Sequence, residues 1–186
     1  NNYSVEGEIK DLEWTINKAQ FNLSELKWDY VDPFTYDKEA KKVQLVEYPE
    51  YLKVEYSNNE FTNAGSYKAE AVVTLVDAEN YELTGSVAAC EWVIEKAEID
   101  ASGLEWDYTD SYTYSGQTYS VELVGTVEEA TIAYEGNEAV NACSYVAKAI
   151  FTYDEANYEL INAPLDLAWE IEKAIIDASP LSWNYT

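Results

Sequence analysis

Along Tyr145-Val-Ala-Lys-Ala-Ile-Phe-Thr-Tyr153, Tyr145, Ala147, Ala149, Phe151 and Tyr153 fall on one face and Val146, Lys148, Ile150 and Thr152 on the other. A period of two marks a strand, because successive side chains of an extended chain point to opposite sides. Residues 67–75 alternate similarly, and Trp92/Ile94, Trp106/Tyr108, Val121/Leu123 and Ile132/Tyr134 give shorter pairs of the same kind. Turn chemistry separates these runs at Ser115-Gly116, Glu135-Gly136-Asn137 and Asn63-Ala64-Gly65. Helix is expected only at residues 48–52 and 127–130, each too short for more than a turn or so.

The pattern repeats. Trp14-Thr-Ile-Asn-Lys-Ala19 returns as Trp92-Val-Ile-Glu-Lys-Ala97 and as Trp169-Glu-Ile-Glu-Lys-Ala174, at spacings of 78 and 77. Between these marks Trp28, Tyr30, Val43, Tyr56, Tyr67 and Ala69 recur 78 residues later as Trp106, Tyr108, Val121, Tyr134, Tyr145 and Ala147. Asn80-Tyr81-Glu82-Leu83 recurs 77 residues on as Asn157-Tyr158-Glu159-Leu160. Self-similarity at a fixed period is the signature of a repeat architecture. With boundaries after each Lys-Ala, the organisation expected is 1–19 as closing strands of a preceding copy, 20–97 and 98–174 as two complete modules, and 175–186 as the opening strand of a following copy. No initiator Met is present, so we expect the chain to be a piece of a longer array. The phase stays open: residues 92–97 either close the first module or open the second.

Six or seven strands per module, bounded by turns every 8–12 residues, predict an all-β fold: tandem β-sandwich, immunoglobulin-like modules of about 77 residues in an extended array. β-grasp-like modules are the alternative, disfavoured because the sequence offers no long crossover helix. No Gly/Ser-rich or Pro-rich linker separates the copies, so they are expected to abut.

Composition narrows the chemistry. The 186 residues carry 36 Asp and Glu against 11 basic residues, all of them lysines, for a net charge of −25, and contain no Arg, His or Met. Most of the side chains that grip phosphate, shuttle protons near neutral pH or ligate transition metals are missing. Nucleic acid and anionic membrane are excluded as partners, since affinity for either rests on Lys and Arg. The first module holds 15 acidic residues and 7 lysines, the second 16 and 2, so both are negative, at −8 and −14. An enzyme is not expected, and neither a catalytic residue, a cofactor nor a metal site is assigned.

Several motifs in fixed order carry a resemblance: Tyr112-Thr-Tyr-Ser-Gly116, the Tyr134-Glu-Gly-Asn137 turn, the Gly65-Ser-Tyr67 strand entry, the Asn-Tyr pairs and the closing Trp-x-Ile-x-Lys-Ala. The chain resembles the tandem bacterial surface modules of the MBG or YDG repeat type and, more loosely, bacterial immunoglobulin-like repeats. It departs from that pattern where Asp37-Lys38 replaces Ser-Gly and where Cys143 replaces the Gly found at 65. The resemblance implies an extracellular stalk, fibre-forming filament or adhesin, attached to a cell surface or cell wall. Its partners would be neighbouring repeats, other copies in a fibre, or, in the adhesin alternative, a host or matrix glycan or glycoprotein.

Candidate residues follow. Cys90 and Cys143 both interrupt the repeat, which in an exported chain suggests a disulfide. Trp14, Trp28, Trp92, Trp106, Trp169, Trp183, Tyr67 and Tyr145 are expected in the core, since residues that recur at alternating positions are those a shared fold needs. Tyr30, Tyr108 and Tyr185 belong to the same class. Tyr48, Tyr51 and Tyr119 lack aromatic equivalents in the other copy and are the candidates for contact with a glycan or protein partner. The acidic stretches Asp77-Ala-Glu79-Asn80 and Asp154-Glu155-Ala-Asn157 invite calcium, but turns before a strand account for them. The carboxylate pairs Glu128/Glu129 and Asp107/Asp110 could be nominated for glycoside hydrolysis, but adjacent strand residues point to opposite faces and no cleft is identified. For a Lys–Asn isopeptide crosslink drawn from Lys96, Lys148, Asn137 and Asn141, solvated lysine is the expected state.

Overall fold

The computed structural model describes residues 2–184. Among them the chain is all-β, apart from one three-residue 3-10 turn at Leu23–Glu25 whose N-terminus Asn22 caps by accepting the Ser24 N–H. The helix expected at 48–52 is a tight turn, closed by the Leu52 N–H donating to the Pro49 carbonyl at 2.9 Å, and the one at 127–130 is a bend. Only residues 47–51 and 125–129 lie between the flanking strands, little more than one helical turn of about 3.6 residues and too short to offset the cost of nucleating a helix.

Ten short strands form in the first module: β1 (Ala19–Asn22), β2 (Lys27–Trp28), β3 (Phe34–Thr35), β4 (Lys41–Lys42), β5 (Leu45–Val46), β6 (Leu52–Ser57), β7 (Glu60–Phe61), β8 (Gly65–Leu75), β9 (Tyr81–Thr84) and β10 (Cys90–Glu95). Ten more follow in the same sequence: β11 (Ala97–Asp100), β12 (Glu105–Trp106), β13 (Tyr112–Thr113), β14 (Tyr119–Ser120), β15 (Leu123–Val124), β16 (Ala130–Glu135), β17 (Glu138–Ala139), β18 (Cys143–Tyr153), β19 (Tyr158–Ile161) and β20 (Leu167–Glu172).

Pairing repeats with them. A four-stranded sheet runs β3-β10-β8-β6 and then β13-β20-β18-β16, and the ladders β1-β9, β2-β5 and β4-β7 return as β11-β19, β12-β15 and β14-β17. Neighbours β16 and β18 are antiparallel, with Tyr134 opposite Ala149, and β18 and β20 are antiparallel, with Tyr145 opposite Trp169. Two pairs in each module are parallel: β1 with β9 and β10 with β3, and likewise β11 with β19 and β20 with β13.

By Cα packing the chain divides into two compact units. The first takes residues up to Pro33, Ala40–Phe61 and Ser66–Val93, and the second takes Phe34–Glu39, Thr62–Gly65 and Ile94 onward. The boundary falls within β10, four residues before the Lys-Ala mark, and the second unit includes two loops whose sequence belongs to the first module.

Burial follows the period-two pattern. In the first unit Val43, Leu45, Leu52, Ala69 and Trp92 are buried. In the second, Val121, Ala147, Trp169 and Ile171 form a dry cluster against which Trp106, Tyr112, Tyr119, Ala139 and Tyr145 pack. Val43, Ala69, Trp92 and Ile94 are thus matched position for position by Val121, Ala147, Trp169 and Ile171, all of them 1% exposed or less.

Candidate functional site

The recurring aromatics do two jobs at once: their rings fill the interior and their polar tips tie down backbone. Trp92 Nε1 donates to the Asn58 carbonyl at 3.3 Å, as Trp169 Nε1 does to that of Gly136 at 3.0 Å. Trp28 Nε1 donates to the Ala88 carbonyl and Trp106 Nε1 to that of Leu165, at 2.8 and 2.9 Å. The hydroxyls of Tyr56 and Tyr134 accept the N–H of Leu45 and Leu123, each at 3.1 Å, and those of Tyr30 and Tyr108 accept the N–H of Val93 and Glu170, again at 3.1 Å. Buried indole and phenol groups need such partners, which explains why these residue types recur where Phe would fill the space equally well. Tyr67 and Tyr145 are half-buried, with rings against Trp92 and Trp169 at 5.1 and 5.0 Å.

Two of the expected core residues are not core. Trp14 is 74% exposed and Trp183 is fully exposed, because residues 2–18 and 173–184 form no strand and so build no sheet face to cover an indole. Tyr185 lies outside the described residues. The expected disulfide is also corrected. Both cysteines are free thiols: Cys90 is buried at the start of β10 in the first unit, and Cys143 is exposed at the start of β18 in the second. Burial, followed by the negative charge of Asp29, pushes the Cys90 thiol above its ordinary pKa.

Of the tyrosines considered for a partner, Tyr48 is exposed, whereas Tyr51 and Tyr119 are half-buried and stacked on neighbours. Tyr51 lies flat on Tyr81 at 4.1 Å and edge-on to Phe21 at 6.2 Å. Tyr119 stacks on Tyr112 at 4.5 Å and donates its hydroxyl proton within reach of the Thr113 carbonyl, at 2.8 Å, and the Ser115 hydroxyl, at 3.0 Å.

The acidic stretches are turns. Asp77 accepts the N–H groups of Glu79 and Asn80 and the Asn80 side-chain amide, and these bonds, the amide first, hold its carboxyl below the usual range. Asp154 Oδ2 accepts the matching 2.8 Å bond from Asn157 Nδ2. Asp107 accepts the Glu122 N–H and Asp110 the Ser111 N–H, so each carboxylate serves a local backbone contact. The crosslink candidates are engaged with other partners: Lys148 faces Asp166 at 3.8 Å, Lys96 Nζ donates to the Glu155 carbonyl at 2.6 Å, Asn137 Nδ2 donates to the Val121 carbonyl, and the Asn141 carbonyl accepts from the Tyr145 hydroxyl.

What the second unit does assemble is a polar grip that sequence reading missed. The turn of residues 154–158 meets the two loops Phe34–Glu39 and Thr62–Gly65, and all of these residues belong to that unit. Asn157, 6% exposed, is its centre. Its Oδ1 accepts the Ala64 N–H at 2.8 Å, its Nδ2 donates to Asp154 Oδ2 and to Asn63 Oδ1, and its carbonyl accepts the Ala97 N–H at 3.0 Å. A buried amide with each polar atom engaged fixes both partners in register. Beside it Tyr36 and Tyr158 meet edge-to-face at 5.3 Å, and Lys38 Nζ sits 2.6 Å from Glu129 Oε1. The hydrogen bond to Glu129 raises the Lys38 pKa and lowers that of Glu129, while desolvation, then the Glu129 charge, raises that of Tyr158.

Lys38 also shows how the departure from Ser-Gly is accommodated: its φ of 71° matches the 78° of Gly116 at the equivalent position, so the left-handed turn is kept without the glycine. A signal for the grip was present in the sequence. Asn-Tyr and Lys-Ala recur in every copy, although their Asn and Lys are polar residues that no apolar face requires.

No family model, no curated protein and no solved structure matches the chain.

Proposed function

We propose that the protein is a structural repeat region of an extracellular bacterial surface protein, a stalk or fibre-forming segment attached to the cell surface or wall, of the MBG or YDG type. Each repeat would be an immunoglobulin-like sandwich module. The single observation that carries this reading is that the second compact unit incorporates Phe34–Glu39 and Thr62–Gly65 from the preceding module. Each repeat then needs its neighbour to be complete, which is the logic of a stacked array in which stability is shared across nearest-neighbour contacts.

Support for the sandwich comes from cross-packing within each unit. Trp92, on the central strand β10, lies 6.0 Å from Phe61 on the β4-β7 ladder, and in the second unit Trp169 shares a cluster with Val121, Tyr119 and Ala139 at the β14-β17 ladder. A four-stranded sheet facing smaller ladders across an aromatic interior is a two-layer arrangement. The aromatics engaged in that interior give no ligand-stacking platform, so a scaffold role is favoured over binding.

Antibody raised against the chain should label intact cells that make the protein, and external protease should remove that label. Labelling that appears only after permeabilisation would overturn the reading.

A further inference from the structure

The face that Tyr36, Ala64 and Lys96 present to the turn of residues 154–158 has an open counterpart one module later. Tyr114, Ser115, Ala142, Lys173, Ala174 and Ile176 line a hollow of about 530 Å³ in the second unit. Position by position, Tyr114 corresponds to Tyr36, Ala142 to Ala64, Asn141 to Asn63 and Lys173 to Lys96. The opposing surface is also present, in the first unit. Its turn Asp77-Ala-Glu-Asn80-Tyr81 matches Asp154-Glu-Ala-Asn157-Tyr158 and has the same 2.8 Å amide-to-carboxylate bond, from Asn80 Nδ2 to Asp77 Oδ2. Asn157 is buried in its grip, whereas Asn80 is exposed.

Resting on the reading of the protein as a stacked repeat, we infer that the hollow at Tyr114, Ala142 and Lys173 receives the Asp77–Tyr81 turn of a second copy of this chain. The contact reproduces the one already made inside the second unit. Asn80 Oδ1 takes the Ala142 N–H as Asn157 Oδ1 takes that of Ala64, and Tyr81 meets Tyr114 as Tyr158 meets Tyr36. Lys173 reaches the Ala78 carbonyl in the place that Lys18 holds at 2.6 Å, which is also how Lys96 holds the Glu155 carbonyl. Residues 2–18 form no strand and lie exposed, so they can yield that place.

The surfaces are not identical, since Ser115 stands for Asp37, Cys143 for Gly65 and Ala78-Glu79 for Glu155-Ala156, but the pair at the ion-pair position is compatible in size. Where Lys38 meets Glu129, the second copy sets Gly116 opposite Tyr51, a small residue against a large one. Because the two mating surfaces are different patches of the same molecule, the contact is heterologous and propagates head to tail instead of closing as a two-fold dimer. At a net charge of −25 per chain, salt should strengthen it by screening repulsion between copies.

Sedimentation velocity of the full chain from about 10 μM to 1 mM, in low and in about 0.5 M salt, tests this. Concentration-dependent oligomers favoured by salt are expected. Asn80→Ala at the head and Tyr114→Ala at the tail, both at exposed positions, should each weaken association at least ten-fold with the circular dichroism unchanged. An equimolar mixture of the two variants should regain a dimer, through the intact head of the Tyr114→Ala chain and the intact tail of the Asn80→Ala chain, but no longer oligomer. A chain monomeric at 1 mM in high salt, or association indifferent to both substitutions, would overturn the inference. Surface labelling of cells that make the protein is independent of this outcome, so failure here is distinguishable from failure of the structural reading.

Discussion

The side-chain oxygen of Asn157 accepts the backbone N–H of Ala64 at 2.8 Å, joining residues 93 positions apart in the chain inside the second compact unit. Its equivalent in the first module, Asn80, makes the same local bond to an aspartate but stays exposed. Asn157→Ala should therefore cost about 1–3 kcal/mol, the penalty of leaving a part-buried donor unpaired. Asn80→Ala removes only a surface turn contact and should stay near the scatter of surface substitutions, about 0.5 kcal/mol. Urea unfolding of the two variants checks the difference. Equal costs would mean that the grip around Asn157 contributes nothing to the stability of its unit.

The tryptophans give a sharper contrast, because Trp14 is exposed at the repeat position where Trp92 and Trp169 are buried, and Trp183 is exposed at the position where Trp28 and Trp106 are half-buried. Trp92 and Trp169 are 0% and 1% exposed, and truncating either to Ala should cost about 3–5 kcal/mol through lost transfer energy and the cavity left behind. Trp14→Ala and Trp183→Ala should change stability by less than about 0.5 kcal/mol. Thermal melts of the four variants decide this. A large loss at Trp14 would show that residues 2–18 pack onto something.

Much of this architecture was legible in the sequence, and the reason is physical. A strand that buries one face must alternate, and a fold used twice must bury the same positions twice, so 145–153 and the spacings of Trp92 and Trp169 announced strands and core without coordinates. Strand partners were not legible. The parallel pairing of β1 with β9 joins Ala19 to Tyr81, and nothing local in either segment encodes a partner some sixty residues away. The core status of Trp14 failed for a related reason: burial belongs to the sheet that surrounds a residue, not to the motif containing it. The grip at Asn157 was missed because its members are polar, and apolar periodicity does not register them.

The two thiols should react at very different rates. With a thiol-specific chromogen at neutral pH, Cys143 should be modified promptly in the native protein, while Cys90 should react only as fast as the first unit opens, since it is buried and its pKa is raised. Reducing agent should leave the melting temperature unchanged. A lower melting temperature in reductant, or slow modification of both cysteines, would restore the disulfide.

Acid should act in two stages of opposite sign. Asp77, Asp100 and Glu129 have folded pKa values below their ordinary 3.8, 3.8 and 4.5, held there chiefly by the Asn80 amide, the Asn162 amide and Lys38 respectively. For a depressed carboxylate, the folded state gains stability above the unfolded pKa and loses it as pH falls through the folded value. That loss is confined to pH below about 4.5. Lowering the pH from 7 to about 5, towards the sequence isoelectric point of about 4.1, reduces the net charge from −25 and with it the self-repulsion of the compact state. The melting temperature should rise on going from pH 7 to about 5 and fall below about 4. A steady decline from pH 7 downward would refute the repulsion argument.

Lys38 combines a strained backbone with an ion pair, and two substitutions separate them. Lys38→Ala removes the contact with Glu129 but keeps a side chain on a backbone whose φ is 71°. Lys38→Gly removes the same contact and restores the residue type that the second module uses at Gly116, where φ is 78°. A left-handed backbone costs a residue bearing a Cβ about 1–2 kcal/mol. Glycine offsets part of that gain by loosening the unfolded chain, at about 0.4–1 kcal/mol. The first effect is the larger, so the glycine variant should be the more stable of the two, and thermal melts at matched salt give the order. The wild type should exceed the alanine variant by a margin that shrinks as salt screens an exposed pair. If the alanine variant proves the more stable of the two, the turn at 38 has relaxed out of the left-handed region, and the grip around Asn157 does not hold the loop of residues 34–39 in place.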